Sequence, residues 1–163
     1  MFVESQNRVK SMALIHERLY LSDDLAKLDF ADVQSLATSL FQSYRVSPQV
    51  ALAIKVEDVS LGIDQAIPCG LIINELVSNS LKHAFSHGPG ELSIDLRQQE
   101  QAITLTVSDD GVGLPENVVV QDSESLGLKL VNILVGQLHG SMTVHREGGT
   151  RFTIEFERRA AVG

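Results

Sequence analysis

With 163 residues, 44% of them hydrophobic and 21% charged, the chain suits one ordinary globular domain with an appended helix and leaves little room for a two-domain enzyme. Thirteen lysines and arginines against 21 aspartates and glutamates give a formal charge of −8, which argues against broad electrostatic binding to nucleic acid or anionic lipid. The one cysteine, Cys69, excludes an internal disulfide and a zinc cage of several thiolates, and points to the reducing cytoplasm.

No apolar run approaches the ~20 residues that cross a bilayer, and residues 1–7 lack a basic-then-apolar signal pattern, so the chain reads as soluble and without membrane contact of its own. Between residues 3 and 21, Met12, Ile15 and Leu19 recur at helical spacing and predict an amphipathic helix. Ser22-Asp23-Asp24 interrupts it. Asp29 or Ala31-Asp32 caps a second helix running to about Tyr44, with Leu36, Leu40 and Phe41 inward and Ser47-Pro48 as its stop.

Residues 50–56 alternate with Val50, Leu52, Ile54 and Val56 on one side, the period of a half-buried strand. Asp64 precedes a long helix over about 65–85, which the turn Gly88-Pro89-Gly90 ends. Leu92, Ile94 and Leu96, then Ile103, Leu105 and Val107, alternate as a hairpin across residues 98–101. An irregular stretch over 109–125 leads into a helix over about 126–138, stopped by Gly140 in the C′ position. Residues 142–145 and 152–156 close the chain as a hairpin across Glu147-Gly148-Gly149. This order predicts an α+β fold, a mixed sheet covered on one face by helices.

Four segments carry more than folding information. In Asn74-Glu75-Leu76-Val77-Ser78-Asn79-Ser80-Leu81-Lys82-His83-Ala84, the ~100° step of a helix puts Ile73, Leu76, Val77, Ser80 and Ala84 on one face. Glu75, Asn79 and Lys82 share a narrow arc on the other. That arc suits a solvated surface, yet also a base, a neutral oxygen ligand for Mg²⁺ and a phosphate contact. In Val107-Ser108-Asp109-Asp110-Gly111-Val112-Gly113, an ordinary turn is one account. The other is an aspartate that accepts a hydrogen bond from an exocyclic amine such as adenine's, beside glycines that let backbone approach a flat ligand. Ser125-Leu126-Gly127-Leu128-Lys129 is either a serine N-cap or a helix start that offers N–H groups to a polyphosphate. Gly148-Gly149-Thr150 reads by itself as a hairpin turn.

In this order and spacing the four segments resemble the N, G1, G2 and G3 boxes of the Bergerat-type ATP-binding fold. Over about residues 29–156 the chain most resembles the catalytic domain of bacterial sensor histidine kinases. Ser11-Met12-Ala13-Leu14-Ile15-His16-Glu17-Arg18-Leu19-Tyr20 is similar to the second helix of the dimerisation and phosphoacceptor hairpin of the HisKA_2 group. The resemblance implies a two-layer sandwich with a mostly antiparallel mixed sheet, divided into hairpin helix (1–24) and ATP-binding catalytic domain (25–160). It implies ATP and Mg²⁺ as ligands, Glu75 as general base and Asn79 as metal ligand. Lys82 and His83 line the phosphate side, Asp109 takes the adenine amino group, and Gly111 and Gly113 allow the close loop. Backbone amides of Gly127, Leu128 and Lys129 meet the phosphates, and Thr150 supports the adenine site through a water.

The chain departs from the commonest pattern at Ser125, where a glycine often stands, and has no phenylalanine-containing box between Pro115 and Ser125. Its Arg8-Val9-Lys10 matches the second hairpin helix, so His16 is expected to be a structural or docking residue, and the acceptor histidine to lie outside this chain. The implied reaction moves the ATP γ-phosphoryl group to a histidine on the hairpin and then to a response regulator. Residues 1–24 leave room for a homodimer. A serine kinase of the anti-sigma type and a non-catalytic ATP-binding module are the alternatives.

Overall fold

The computed structural model describes residues 6, 9–10, 13, 26–28, 30–43, 49–57, 59–85, 88–113 and 126–159. Gln6, Val9, Lys10 and Ala13 are helical and exposed, in keeping with a helix there; His16 lies outside the described residues, as do the turn at 47–48 and the stretch 114–125. The elements are β1 (Ala26–Leu28), α1 (Phe30–Ser43), β2 (Val50–Val56), β3 (Val59–Leu61), α2 (Ile63–His83), β4 (Gly90–Gln99), β5 (Ala102–Asp109), α3 (Leu126–Gln137), β6 (Ser141–His145) and β7 (Thr150–Glu157). β1 and β3 form a small antiparallel ribbon; the main sheet runs β2-β4-β5-β7-β6, with β2 parallel to β4 and every other pairing antiparallel.

Alternation along the strands fixes the two faces of this sheet. Cross-strand partners share a face, so register assembles the rows Ile54–Ile94–Val107–Phe152–Val144 and Val56–Leu96–Leu105–Ile154–Met142. The central members of both rows are buried. Each such side chain contributes roughly 1.5–3 kcal/mol by leaving water. The intervening rows carry Ser93, Ser108 and Arg151, then Asp95, Thr106 and Thr153. They form the opposite, polar face, on which Arg97 pairs with Asp95 at 2.6 Å. All helical burial is therefore on one side, as a two-layer α+β fold requires.

α2 occupies the centre of the helical layer, packing against both α1 and α3. α1 contributes Val33, Leu36, Ala37 and Leu40, one stripe at 3,4,7 spacing. Gln65, fully buried near the start of α2, donates to the Glu157 carbonyl at 2.9 Å and accepts from the Arg159 N–H at 2.9 Å. It fastens the outgoing end of β7 to the helix. Cys69 is buried beside it, and desolvation pushes its thiol up to about 12, consistent with a small core residue rather than a nucleophile.

Four local readings need correction. β1 and β3 have no counterpart in the periodicity, because three residues are too few to show a period. The β4–β5 loop is two residues, Glu100-Gln101, and both strands run further than expected, with Glu100 taking φ +57°. α2 begins at Ile63 and stops at His83, shifted toward the N-terminus. Lastly, the left-handed residue after α3 is His139 (φ +52°), not Gly140. His139 N–H bonds the Gly136 carbonyl and Gly140 N–H the Val135 carbonyl, each at 3.0 Å, the Schellman pattern with histidine at C′. Gly140 serves a different need, since a Cβ there would lie 2.6 Å from the Glu155 carbonyl oxygen. Replacing His139 by glycine relieves left-handed strain and is expected to raise stability by about 1 kcal/mol in urea unfolding.

Candidate functional site

The third row of the covered sheet face breaks the apolar rule. Leu52 pairs with Leu92, Leu92 with Asp109, and Asp109 with Thr150. Asp109 and Thr150 stand where the neighbouring rows carry valine, leucine, phenylalanine and isoleucine. Both are buried. A carboxylate turned toward a helical layer needs donors, and the surroundings supply them. Ser80 of α2 donates its hydroxyl to Asp109 Oδ2 at 2.8 Å, and the Gly111 N–H donates to Oδ1 at 3.1 Å.

Three glycines make the close approach possible. Gly111 has the Ala84 carbonyl so near that a Cβ would overlap it, and next to it the Val112 N–H bonds that same carbonyl at 3.2 Å. The loop after β5 is thereby tied to the end of α2. Gly149, at φ +125°, leaves no space for a Cβ against the Asp109 carbonyl, and Gly113, at φ +76°, sits with a Cβ position 3.2 Å from the Gly149 carbonyl oxygen. The end of α2, the loop after β5 and the β6–β7 turn thus converge on Asp109.

The polar arc of α2 is not the solvated surface that its sequence also suits. Glu75 is buried at 3% exposure, and Asn79 and Lys82 are half-buried. Glu75 and Asn79 lie one turn apart, about 6 Å along the axis, so a buried carboxylate and a partly accessible amide share one side of the helix. His83 at the end of α2 is exposed. In the first turn of α3, Gly127 and Leu128 are buried while Lys129 is exposed.

A cleft of about 390 Å³ also borders the Asp109–Thr150 row, but its walls include Glu91, Ser93, Ser108, His145, Glu147 and Arg151. Ser93, Ser108 and Arg151 belong to the polar face of the sheet, and two glutamates in the lining oppose a polyphosphate. Sequence reading placed Ser80 with the core and so missed its bond to Asp109; a lone serine on an apolar helical face was the available signal. Gly149 reads from the sequence as turn-forming, although its lack of a side chain is required by contact with β5, the neighbour of β7 in the sheet.

Comparison with known proteins agrees with this geometry. Residues 64–160 match the model of the histidine kinase-, DNA gyrase B- and HSP90-like ATPase family, and residues 1–44 match a histidine kinase family model, HisKA_2. The chain is 33% identical over 159 residues to sensor histidine kinase PdtaS of Mycobacterium tuberculosis, covering 91% of this chain and 30% of that protein. Over 104 residues it is 33% identical to blue-light-activated histidine kinase 2 of Erythrobacter litoralis, covering 62% of this chain and 30% of the relative. The chain therefore spans about a third of the length of these relatives. The solved histidine kinase domain of the Erythrobacter litoralis EL346 blue-light-activated kinase superposes with a TM-score of 0.84 at 24% identity, over 94% of this chain and 78% of that one, a likeness of fold. With a family match over most of the sheet and its helices, the chain belongs to the histidine kinase-, DNA gyrase B- and HSP90-like ATPases and carries the ATP-binding catalytic domain of a sensor histidine kinase.

Proposed function

We propose that the helical side of Asp109 binds ATP with Mg²⁺, and that the domain transfers the γ-phosphoryl group to a histidine on a helical hairpin. The observation that carries this reading is the Asp109 row, where a buried carboxylate is oriented by Ser80 and Gly111 at a place that packing alone would fill with a hydrophobe. Adenine's exocyclic amine is a donor suited to such an acceptor. Thr150, in register with Asp109, would support the adenine end through a water.

The donor set suits a metal shared with phosphates. Among the described residues no group of three or more His, Cys, Asp or Glu forms a metal cage. Mg²⁺ commonly takes one or two protein oxygens together with substrate phosphates, and the Asn79 amide would be that protein ligand. Bound Mg²⁺ would neutralise charge on the phosphate oxygens. Glu75, one turn before Asn79, would take the proton of the attacking imidazole. Lys82 and His83 would face the phosphates, and the N–H groups of Gly127, Leu128 and Lys129 at the start of α3 would meet them. Gly111 and Gly113 would let the loop close on the base.

This reading divides the chain into a hairpin helix over 1–24, where a homodimer would form, and a catalytic domain over 25–160. It sends the phosphoryl group onward to a response regulator and puts the reaction in the cytoplasm, where ATP is available. Among the described residues no helix is long and apolar enough to cross a membrane.

Calorimetric titration with a non-hydrolysable ATP analogue is the test. Binding should tighten on adding Mg²⁺, and Asn79→Ala should abolish most of that increment while leaving adenosine affinity within about twofold, because the amide is assigned to the metal end. An unchanged Mg²⁺ increment in Asn79→Ala removes the metal assignment. A parent chain that binds no nucleotide removes the reading as a whole.

A further inference from the structure

A buried serine inside a helix ordinarily returns its hydroxyl to a carbonyl of the preceding turn. Ser80 does otherwise. It is 6% exposed, and its proton goes to a carboxylate 29 residues away, on the sheet. A hydroxyl has one proton and two lone pairs. With the proton given to Asp109, only lone pairs remain for anything else that reaches this point. Asp109 itself, with Gly111 N–H on its other oxygen, is also acceptor-only when ionised. The pair therefore presents acceptors and no donor.

We propose that Ser80 is a positioning and specificity-determining residue for the base: it holds the Asp109 carboxylate in place and, with it, forms an acceptor-only edge. Such an edge takes the amino group of a 6-aminopurine and turns away a 6-oxopurine, whose oxygen would bring lone pairs against lone pairs. The inference rests on reading the helical side of Asp109 as a nucleotide site. It goes further in giving Ser80, rather than Asp109 alone, a part in choosing adenine over guanine. Losing the hydroxyl leaves Oδ2 open to a water, which carries donors as well as acceptors and so relaxes the choice.

The experiment measures affinities of non-hydrolysable ATP and GTP analogues for the parent chain, Ser80→Ala, Asp109→Asn and the double variant, with thermal melts of each. Ser80→Ala is expected to weaken the ATP analogue about three- to tenfold, the range of one net hydrogen bond, and to leave the GTP analogue unchanged or tighter. In the Asp109→Asn background the same change should have little effect. Ser80→Cys keeps the volume with a poor donor and should behave as alanine does, which covers the case of an unfolded alanine variant. Equal loss for both analogues, or a full loss persisting beside Asp109→Asn, would mean that Ser80 acts only on the scaffold and would overturn the inference. So would unchanged ATP-analogue affinity in a parent that binds it. A parent that binds neither analogue sinks the nucleotide reading and this inference together.

Discussion

Gly149→Ala is expected to destabilise the fold by about 3 kcal/mol or more, while Gly148→Ala, one residue earlier, should cost only about 1 kcal/mol. Both glycines have positive φ, +68° at Gly148 and +125° at Gly149, so both substitutions carry backbone strain. They differ in space. A Cβ on Gly148 meets nothing within 4 Å, whereas one on Gly149 would overlap the Asp109 carbonyl oxygen and lie 2.8 Å from both the Asp109 carbonyl carbon and the Asp110 Cα. Those atoms are backbone at the end of a central strand and cannot rotate aside. β7 must part from β5 at the Asp109–Thr150 pair, which dismantles the candidate site along with the local sheet. For a chain of this size, 3 kcal/mol corresponds to a fall in Tm of roughly 10 °C. Urea unfolding of the two variants side by side checks it; equal losses would show that the turn, not the contact with Asp109, sets the requirement for glycine.

The apolar alternation of β4, β5 and β7 was legible because each strand has one covered face, and a period of two survives any detail of topology. Leu92, Ile94 and Leu96 announce themselves, as do Ile103, Leu105 and Val107. The partnering is less visible. Nothing local says that β2 runs parallel to β4 or that β7 inserts between β5 and β6, since these pairings join residues far apart in the sequence.

The candidate site was legible as motifs, and less so as a device. Asp109, Gly111 and Gly113 belong to a segment whose residue types already suggested a ligand, Thr150 entered only through the family resemblance, and the fold brings the end of α2, the loop after β5 and the β6–β7 turn together around Asp109. Ser80 escaped because a helical projection sorts side chains by angle and cannot tell a core serine from one whose partner is a carboxylate on another element. Glu75 was ambiguous for a similar reason. Its arc is polar, but whether a polar arc meets water depends on the helices packed beside it, and α2 has one on each flank. His139 illustrates the opposite error. Glycine is the common residue at a helix C′ position, but here Gly140 is needed one place later by its approach to β7, and histidine takes the strained angle.

Asp109→Asn separates folding from recognition, and its expected result is a chain of nearly parental stability that binds an ATP analogue about ten- to a hundredfold more weakly. The magnitude follows from losing a hydrogen bond to a charged acceptor, roughly 1.5–3 kcal/mol, at about 1.4 kcal/mol per decade. Asparagine keeps the shape and one carbonyl oxygen for the Gly111 N–H, and a serine hydroxyl can accept from its amide nitrogen, so the interior stays satisfied. What changes is the direction of donation, because an NH₂ now stands where the base requires an acceptor. Asp109→Ala should act differently: it strands the Ser80 hydroxyl and the Gly111 N–H without their shared partner, adding a stability loss of about 1–3 kcal/mol to the loss of binding. Calorimetry on the asparagine variant and urea unfolding on both distinguish the two effects. If the asparagine variant binds as tightly as its parent, Asp109 is a fastening between α2 and the sheet and the adenine contact lies elsewhere.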